Sequence, residues 1–216
     1  MYLRSNIKHL INYSIFNKHS TALIGSSKSI LKKKWGKRID KKKIVIRFNK
    51  AKIKNYHEFV GHKDNLRFLN NVCIEKYFFK KNEKSFFTKK NIIISPHQIK
   101  NKYNLIKTIK NCRFIFFDSS LYQYLIIFKY IHYPILLLNL LRYKLKKNFS
   151  VGFFAILIFS SKKNPPDLFG FDLTEDMKKR THYWEKGPKV GNVHNLSLEH
   201  KFIKYMQNKN LININL

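Results

Sequence analysis

The sequence predicts an α/β fold: a single Rossmann-like domain with a mostly parallel sheet flanked by helices. Three observations carry this. Runs such as IVIRF (Ile44–Phe48), NIIIS (Asn91–Ser95) and RFIFFD (Arg113–Asp118) have the length and the β-branched or aromatic content of buried strands. They alternate with stretches of helical character, and that alternation favours a sheet covered on both faces. A chain of 216 residues suits one domain of this type.

Taken in order, Thr21–Ile24 (TALI) is a short apolar strand, closed by Gly25-Ser26-Ser27 and a basic stretch able to start a helix. Ile44–Phe48 follows and ends at Asn49, and the strands Asn91–Ser95 and Arg113–Asp118 come next. Tyr124–Leu141 is the most apolar stretch, but Lys129, His132 and Pro134 interrupt it. It reads as one or two core helices rather than a membrane span, which needs about 20 apolar residues. Val151–Ser160 (VGFFAILIFS) is apolar on every side and predicts a buried helix, with a buried strand as the lesser reading. Pro165-Pro166 stops it, and Asp167–Asp172 (DLFGFD) predicts another strand. Leu198, Phe202 and Met206, spaced at i+4, mark one face of a last helix.

Composition bounds the function. Lys and Arg number 44 against 12 Asp and Glu, a formal charge of +32 that attracts polyanions. Lys, Asn, Ile and Phe are all abundant, so codon bias alone also accounts for part of it. A basic RNA-binding protein would show the same charge, with aromatics such as Phe78, Phe79, Phe86 and Phe87 among lysines. Cys73 and Cys112 form no metal-ligand spacing and read as small buried apolar residues. The N-terminus mixes Arg4, Lys8 and His9 into its apolar residues, too broken a pattern for a signal peptide. Arg142, Lys144, Lys146 and Lys147 would favour peripheral contact with an anionic membrane.

In parallel sheets ligands bind beyond the carboxyl ends of the strands. Three places there carry polar chemistry. Gly25-Ser26-Ser27 offers a tight turn, hydroxyls and free backbone N–H groups suited to phosphate, although an ordinary capped loop would read the same way. Asn49 presents an amide, donor and acceptor together, at the tip of a strand. Thr181-His182-Tyr183-Trp184-Glu185 sets an imidazole among aromatic residues, and His194 follows beyond Gly187-Pro188 and Gly191. Histidine can take a proton from a hydroxyl or, when charged, pair with phosphate.

Together these segments resemble the eukaryotic-type sialyltransferases, glycosyltransferase family 29, across all four characteristic motifs. The stretch from Thr21 to Lys63, with Gly25, Gly36, Ile39-Asp40, the VIRFN element, Ala51 and Val60-Gly61, is similar to the long motif. The stretch from Asn148 to Leu173, with Ser150, Gly152, Ala155 and Phe169-Gly170-Phe171, is similar to the short motif. THYWEKG resembles the third motif, and HNLSLE (His194–Glu199) the very short HxxxxE motif.

The resemblance implies a GT-A-like variant of the Rossmann arrangement, with a catalytic domain over 21–216 and an N-terminal extension over 1–20. It implies that Asn49 holds the CMP moiety, that Gly25 and Ser26 lie near the nucleotide phosphate, and that Ser150 and Gly152 line the cytidine pocket. His182 would contact the donor phosphate with Tyr183 beside it, His194 would be the general base, and Glu199 would be structural. The implied reaction is an inverting, metal-independent transfer of sialic acid from a CMP-activated donor to a glycan or lipid-linked acceptor. CMP-Kdo or a related ulosonic acid is the alternative donor. No metal or other cofactor is expected, and nucleic acid is not expected as the partner.

The departures are specific. Thr21 stands where secretory members carry the first cysteine of a motif-linking disulfide, and Ser160–Pro166 supplies no second one. That, with no anchor ahead of the long motif, implies a cytoplasmic, at most peripherally membrane-bound enzyme. Ser26 replaces the usual asparagine, and the Pro-Ser-Thr-Gly pattern is reduced to Phe149-Ser150-Val151-Gly152. Asn70–Lys147 matches none of the motifs, and acceptor choice is expected there.

Overall fold

The computed structural model describes residues 19–70, 73, 92–95, 113–116, 130, 132–134, 150–173, 182–185 and 196–216, with 92–95, 113–116 and 196 described by backbone only. The strands are β1 (Thr21–Ile24), β2 (Ile44–Phe48), β3 (Leu66–Phe68), β4 (Ile92–Ser95), β5 (Arg113–Phe116), β6 (Asp167–Phe169) and β7 (Asn213–Asn215). They form one sheet in the order β5-β4-β3-β2-β1-β6-β7. Every neighbouring pair is parallel. From β1 the chain adds strands on one side up to β5 and then returns to place β6 on the other. The direction of winding therefore reverses between β1 and β6, where α/β sheets open their ligand crevice.

The side chains of β1, β2, β3 and β6 are shared between two cores. Leu23, Ile44, Ile46, Phe48, Leu66, Phe68 and Leu168 face one side. Ala22, Ile24, Val45 and Phe169 face the other. Side chains in a strand point to opposite faces in turn, so a strand buried on both faces must be apolar throughout. That is why IVIRF carries no polar residue except Arg47, itself buried.

The first face is covered by α3 (Val151–Phe159) and α4 (Leu196–Asn208). Ser150 caps α3 by accepting the Phe153 N–H at 3.1 Å. The helix behind it buries Phe153, Phe154, Ala155, Ile156, Leu157 and Phe159, which settles Val151–Ser160 as a helix. On α4, Phe202, Ile203 and Met206 are buried and Leu198 packs partly against them, as the i+4 spacing predicts. The second face is covered by a 3₁₀ turn (Lys28–Lys32), α1 (Gly36–Asp40) and α2 (His57–Val60), which contribute Ile30, Ile39 and Val60.

Several boundaries differ from expectation. The predicted strand over Asp167–Asp172 stops at Phe169, because Gly170 turns with φ 67°. β4 begins at Ile92, and β5 is assigned to Phe116, with residues 117 and 118 outside the described set. β3 and β7 were not predicted. Cys73 is a buried free thiol. Cys112, residues 1–18 of the N-terminal extension, the basic run after Leu141 and most of Tyr124–Leu141 lie outside the described residues. Within that last stretch Tyr130 is buried, its hydroxyl donating to the Leu157 carbonyl at 2.9 Å. Among the described residues no helix is long and apolar enough to cross a membrane.

Candidate functional site

The carboxyl ends of β1 and β6 come together first. Gly25 donates to the Phe169 carbonyl at 2.7 Å, and Ser27 to the Gly170 carbonyl at 3.1 Å. A Cβ on Gly25 would stand 2.3 Å from the Gly170 oxygen, so only glycine lets these loops lie backbone to backbone. The Ser27 hydroxyl caps the 3₁₀ turn by accepting the Ser29 N–H at 3.2 Å, and it lies 3.4 Å from Asp172 Oδ2. Ser26 is half-buried. Its carbonyl accepts the Tyr183 N–H at 2.9 Å, and no described residue bonds its hydroxyl.

Phe171 gathers the remaining segments. Turned out of the strand by Gly170, its ring meets Phe48 edge-on at 5.9 Å between centroids. The same ring lies 3.3 Å from where a Cβ on Gly152 would sit and 3.0 Å from that of Gly25. Gly25, Gly152 and the end of β2 thus border one aromatic ring. A continuous strand was predicted through this residue; what marks the turn is Gly170 in its middle.

Asn49, directly after Phe48, takes φ 46°, a left-handed conformation that asparagine tolerates better than other side chains. Its Oδ1 accepts the Asn70 N–H at 2.9 Å and its carbonyl accepts Arg67 Nη1 at 2.8 Å. The Nδ2 amide has no partner among the described residues. Arg67 is buried and also grips Asp64. Neighbouring Arg47 donates to the Lys63, Val60 and Gly61 carbonyls, while its Nη1 is buried without a partner among the described residues. Burial lowers the Arg47 pKa, against the opposing pull of Asp64.

Ser150 sits at the start of α3 beside Gly152. Its N–H and hydroxyl donate to the two carboxylate oxygens of Glu199, at 2.7 and 2.6 Å. The side chain expected to line a cytidine pocket is therefore largely spent on a partner in α4. Glu199 is buried at 2% exposure, in keeping with the structural role expected of it.

His182 reaches the rim through an antiparallel bridge with Ser27. Its Nδ1 lies 2.7 Å from Glu185 Oε2, and its ring stacks on Trp184 at 4.6 Å. Tyr183, expected as a second donor contact, points inward. It is 3% exposed, meets Tyr56 edge-on at 5.0 Å and donates its hydroxyl to the Lys52 carbonyl. Burial raises its pKa above the ordinary tyrosine value. Of the predicted site residues, Gly25, Ser26, Asn49, Ser150, Gly152 and His182 share this rim, Tyr183 backs it, and His194 lies outside the described residues. Phe171, Arg67 and Glu185 were not predicted as site residues.

A seven-stranded parallel sheet with its polar residues gathered where the winding reverses defines a Rossmann-type α/β fold. Residues 17–211 match glycosyltransferase family 29 (sialyltransferase), and the chain belongs to that family. Its fold is similar to that of a mammalian sialyltransferase solved with Gal-β-1,3-GalNAc-ortho-nitrophenol. The TM-score is 0.63 at 17% identity, over 91% of this chain and 68% of that one. It is also similar to the Campylobacter jejuni sialyltransferase CstII with CMP, at TM-score 0.50 and 10% identity, over 91% of this chain and 78% of that one. In Arabidopsis thaliana, sialyltransferase-like protein 2 is 51% identical over 49 residues, 23% of this chain and 11% of its own length. A β-1,6-galactosyltransferase of the same plant is 42% identical over 57 residues, 26% of this chain and 14% of its own.

Proposed function

We propose that the chain transfers sialic acid, or a related ulosonic acid such as Kdo, from a CMP-activated donor to the hydroxyl of a glycan or lipid-linked acceptor. Inversion at the anomeric carbon and independence of metal belong to the proposal. The observation that carries it is the meeting of Gly25-Ser26, Asn49, Gly152 and His182 at one rim, bordered by Phe171. In this reading Asn49 offers Nδ2 to the nucleotide, and Ser26 offers its hydroxyl near the phosphate. His182, protonated, pairs with the phosphate as CMP departs, stabilising charge the leaving group gains. His194, the first residue of the HxxxxE motif, takes the proton from the acceptor hydroxyl, a contribution of about 10²–10⁴-fold.

A second reading replaces the acidic donor by a neutral nucleotide hexose. It is favoured by the 42% identity to a β-1,6-galactosyltransferase and by Asp172, 3.4 Å from Ser27 Oγ, whose charge suits sugar hydroxyls better than a second carboxylate. One assay separates the readings: nucleotide release from CMP-sialic acid, CMP-Kdo and UDP-galactose by wild type, His182→Ala and His194→Ala. Turnover of a CMP sugar, weakened donor use in the first variant and loss of acceptor transfer in the second are expected. Turnover of UDP-galactose alone would select the second reading, and full transfer by His194→Ala would remove the base.

A further inference from the structure

We infer that Glu185 is the positioning residue for His182, fixing which imidazole nitrogen is offered to the donor. Three contacts hold the histidine. Its backbone bridges Ser27, its ring lies flat on Trp184 with 4° between the planes, and Nδ1 meets the Glu185 carboxylate at 2.7 Å. The Glu185 N–H also returns to the His182 carbonyl at 3.0 Å, closing a tight turn that keeps the two side chains on one side. An exposed ion pair three residues apart would contribute little. This one is half-sheltered, at 42% exposure for the imidazole and 23% for the carboxylate, and the stacked indole removes the ring's rotational freedom.

The chemical consequence follows from the two nitrogens being distinct. A carboxylate on Nδ1 keeps a proton there, whereas free imidazole prefers its proton on Nε2. Nε2 is then the nitrogen left open, with no partner among the described residues. When the ring takes a second proton, that proton sits on Nε2, the nitrogen left to meet a donor phosphate. Without Glu185 the ring could turn, or present the wrong nitrogen, and the phosphate would lose an aimed donor. For histidines that ligate a metal, orienting partners are typically worth about 10–100-fold, and the same lever acts on His182.

This role rests on the donor-phosphate reading of His182, and its test separates the two. In protein labelled with ¹⁵N-histidine, the His182 signals are identified by their loss in His182→Ala. Above the pH at which imidazole is neutral, we expect the Nδ1–H tautomer in wild type, the Nε2–H tautomer in Glu185→Ala and recovery in Glu185→Asp. CMP affinity should fall about 10-fold in Glu185→Ala and return to within about 3-fold in Glu185→Asp. An Nε2–H tautomer in wild type, or no change in Glu185→Ala, overturns the inference. A changed tautomer with unchanged CMP affinity removes Glu185 from function while sparing the donor reading. No CMP binding by wild type overturns the donor reading and this role with it.

Discussion

Ser150 and Glu199, 49 residues apart in sequence, are joined by two short hydrogen bonds to a carboxylate that is 2% exposed. The bonds fasten the start of α3 to the first turn of α4. Removing one partner of a buried charge-assisted pair leaves the other unsatisfied. Glu199→Ala should therefore cost about 2–4 kcal/mol in urea unfolding, and Ser150→Ala about 1–3 kcal/mol. A loss below about 1 kcal/mol for Glu199→Ala would show that the clamp contributes nothing to the fold.

Two glycines at the rim should respond very differently to a methyl group. At Gly25 the added carbon would meet backbone, the Gly170 oxygen at 2.3 Å and its carbon at 2.7 Å. At Gly152 it would meet only the edge of the Phe171 ring at 3.3 Å, which can tilt. Gly25→Ala should cost about 3 kcal/mol, lowering Tm by about 6–12 °C in a chain of this size. Gly152→Ala should stay under about 1 kcal/mol. Equal losses in thermal melts would mean that the β1 and β6 loops are not held backbone to backbone.

Where the chain is apolar, the sequence was legible. TALI, IVIRF and VGFFAILIFS announce β1, β2 and α3 because each is buried on every side, and the i+4 face announces α4. β3 and β7 escaped for opposite reasons. LRF has a cation at its centre, acceptable only because Arg67 finds Asp64 and two carbonyls across the loop. NIN is a polar edge strand whose Asn213 side chain bonds Asp167. The site reads the same way: which residues gather at the rim follows from strand ends, but what each side chain is spent on does not. Ser150 and Tyr183 are committed to Glu199 and the Lys52 carbonyl, partners far away in sequence.

Arg67 supports Asn49 from behind, and that suggests a variant affecting the donor more than the fold. Its Nη1 holds the Asn49 carbonyl at 2.8 Å and the Ala51 carbonyl at 3.3 Å, while the rest of the fork takes Asp64. A lysine keeps the charge but cannot span these acceptors. Arg67→Lys should let the left-handed turn at Asn49 relax and raise the KM for the nucleotide sugar about 10-fold, the effect of roughly 1.4 kcal/mol. The kcat should change less. An unchanged KM would separate Arg67 from nucleotide binding.

Alkaline pH gives the last prediction. Burial raises the phenols of Tyr130 and Tyr183 above their ordinary value of 10, so they stay protonated in the folded chain. In the unfolded chain they ionise near that value. The folded state then binds more protons, and each tyrosine's stability, fully present below pH 10, is lost above it at about 1.4 kcal/mol per pH unit. Burial draws the Arg47 pKa down as well, but a guanidinium stays protonated across this window and does not offset the loss. Two tyrosines then leave a net loss of roughly 2–3 kcal/mol per unit between pH 10 and 11. Tyr130→Phe removes one tyrosine and should about halve that slope in urea unfolding across the window. An undiminished slope in the variant would mean that the Tyr130 phenol, bonded to Leu157 and Ser160, ionises as readily folded as unfolded.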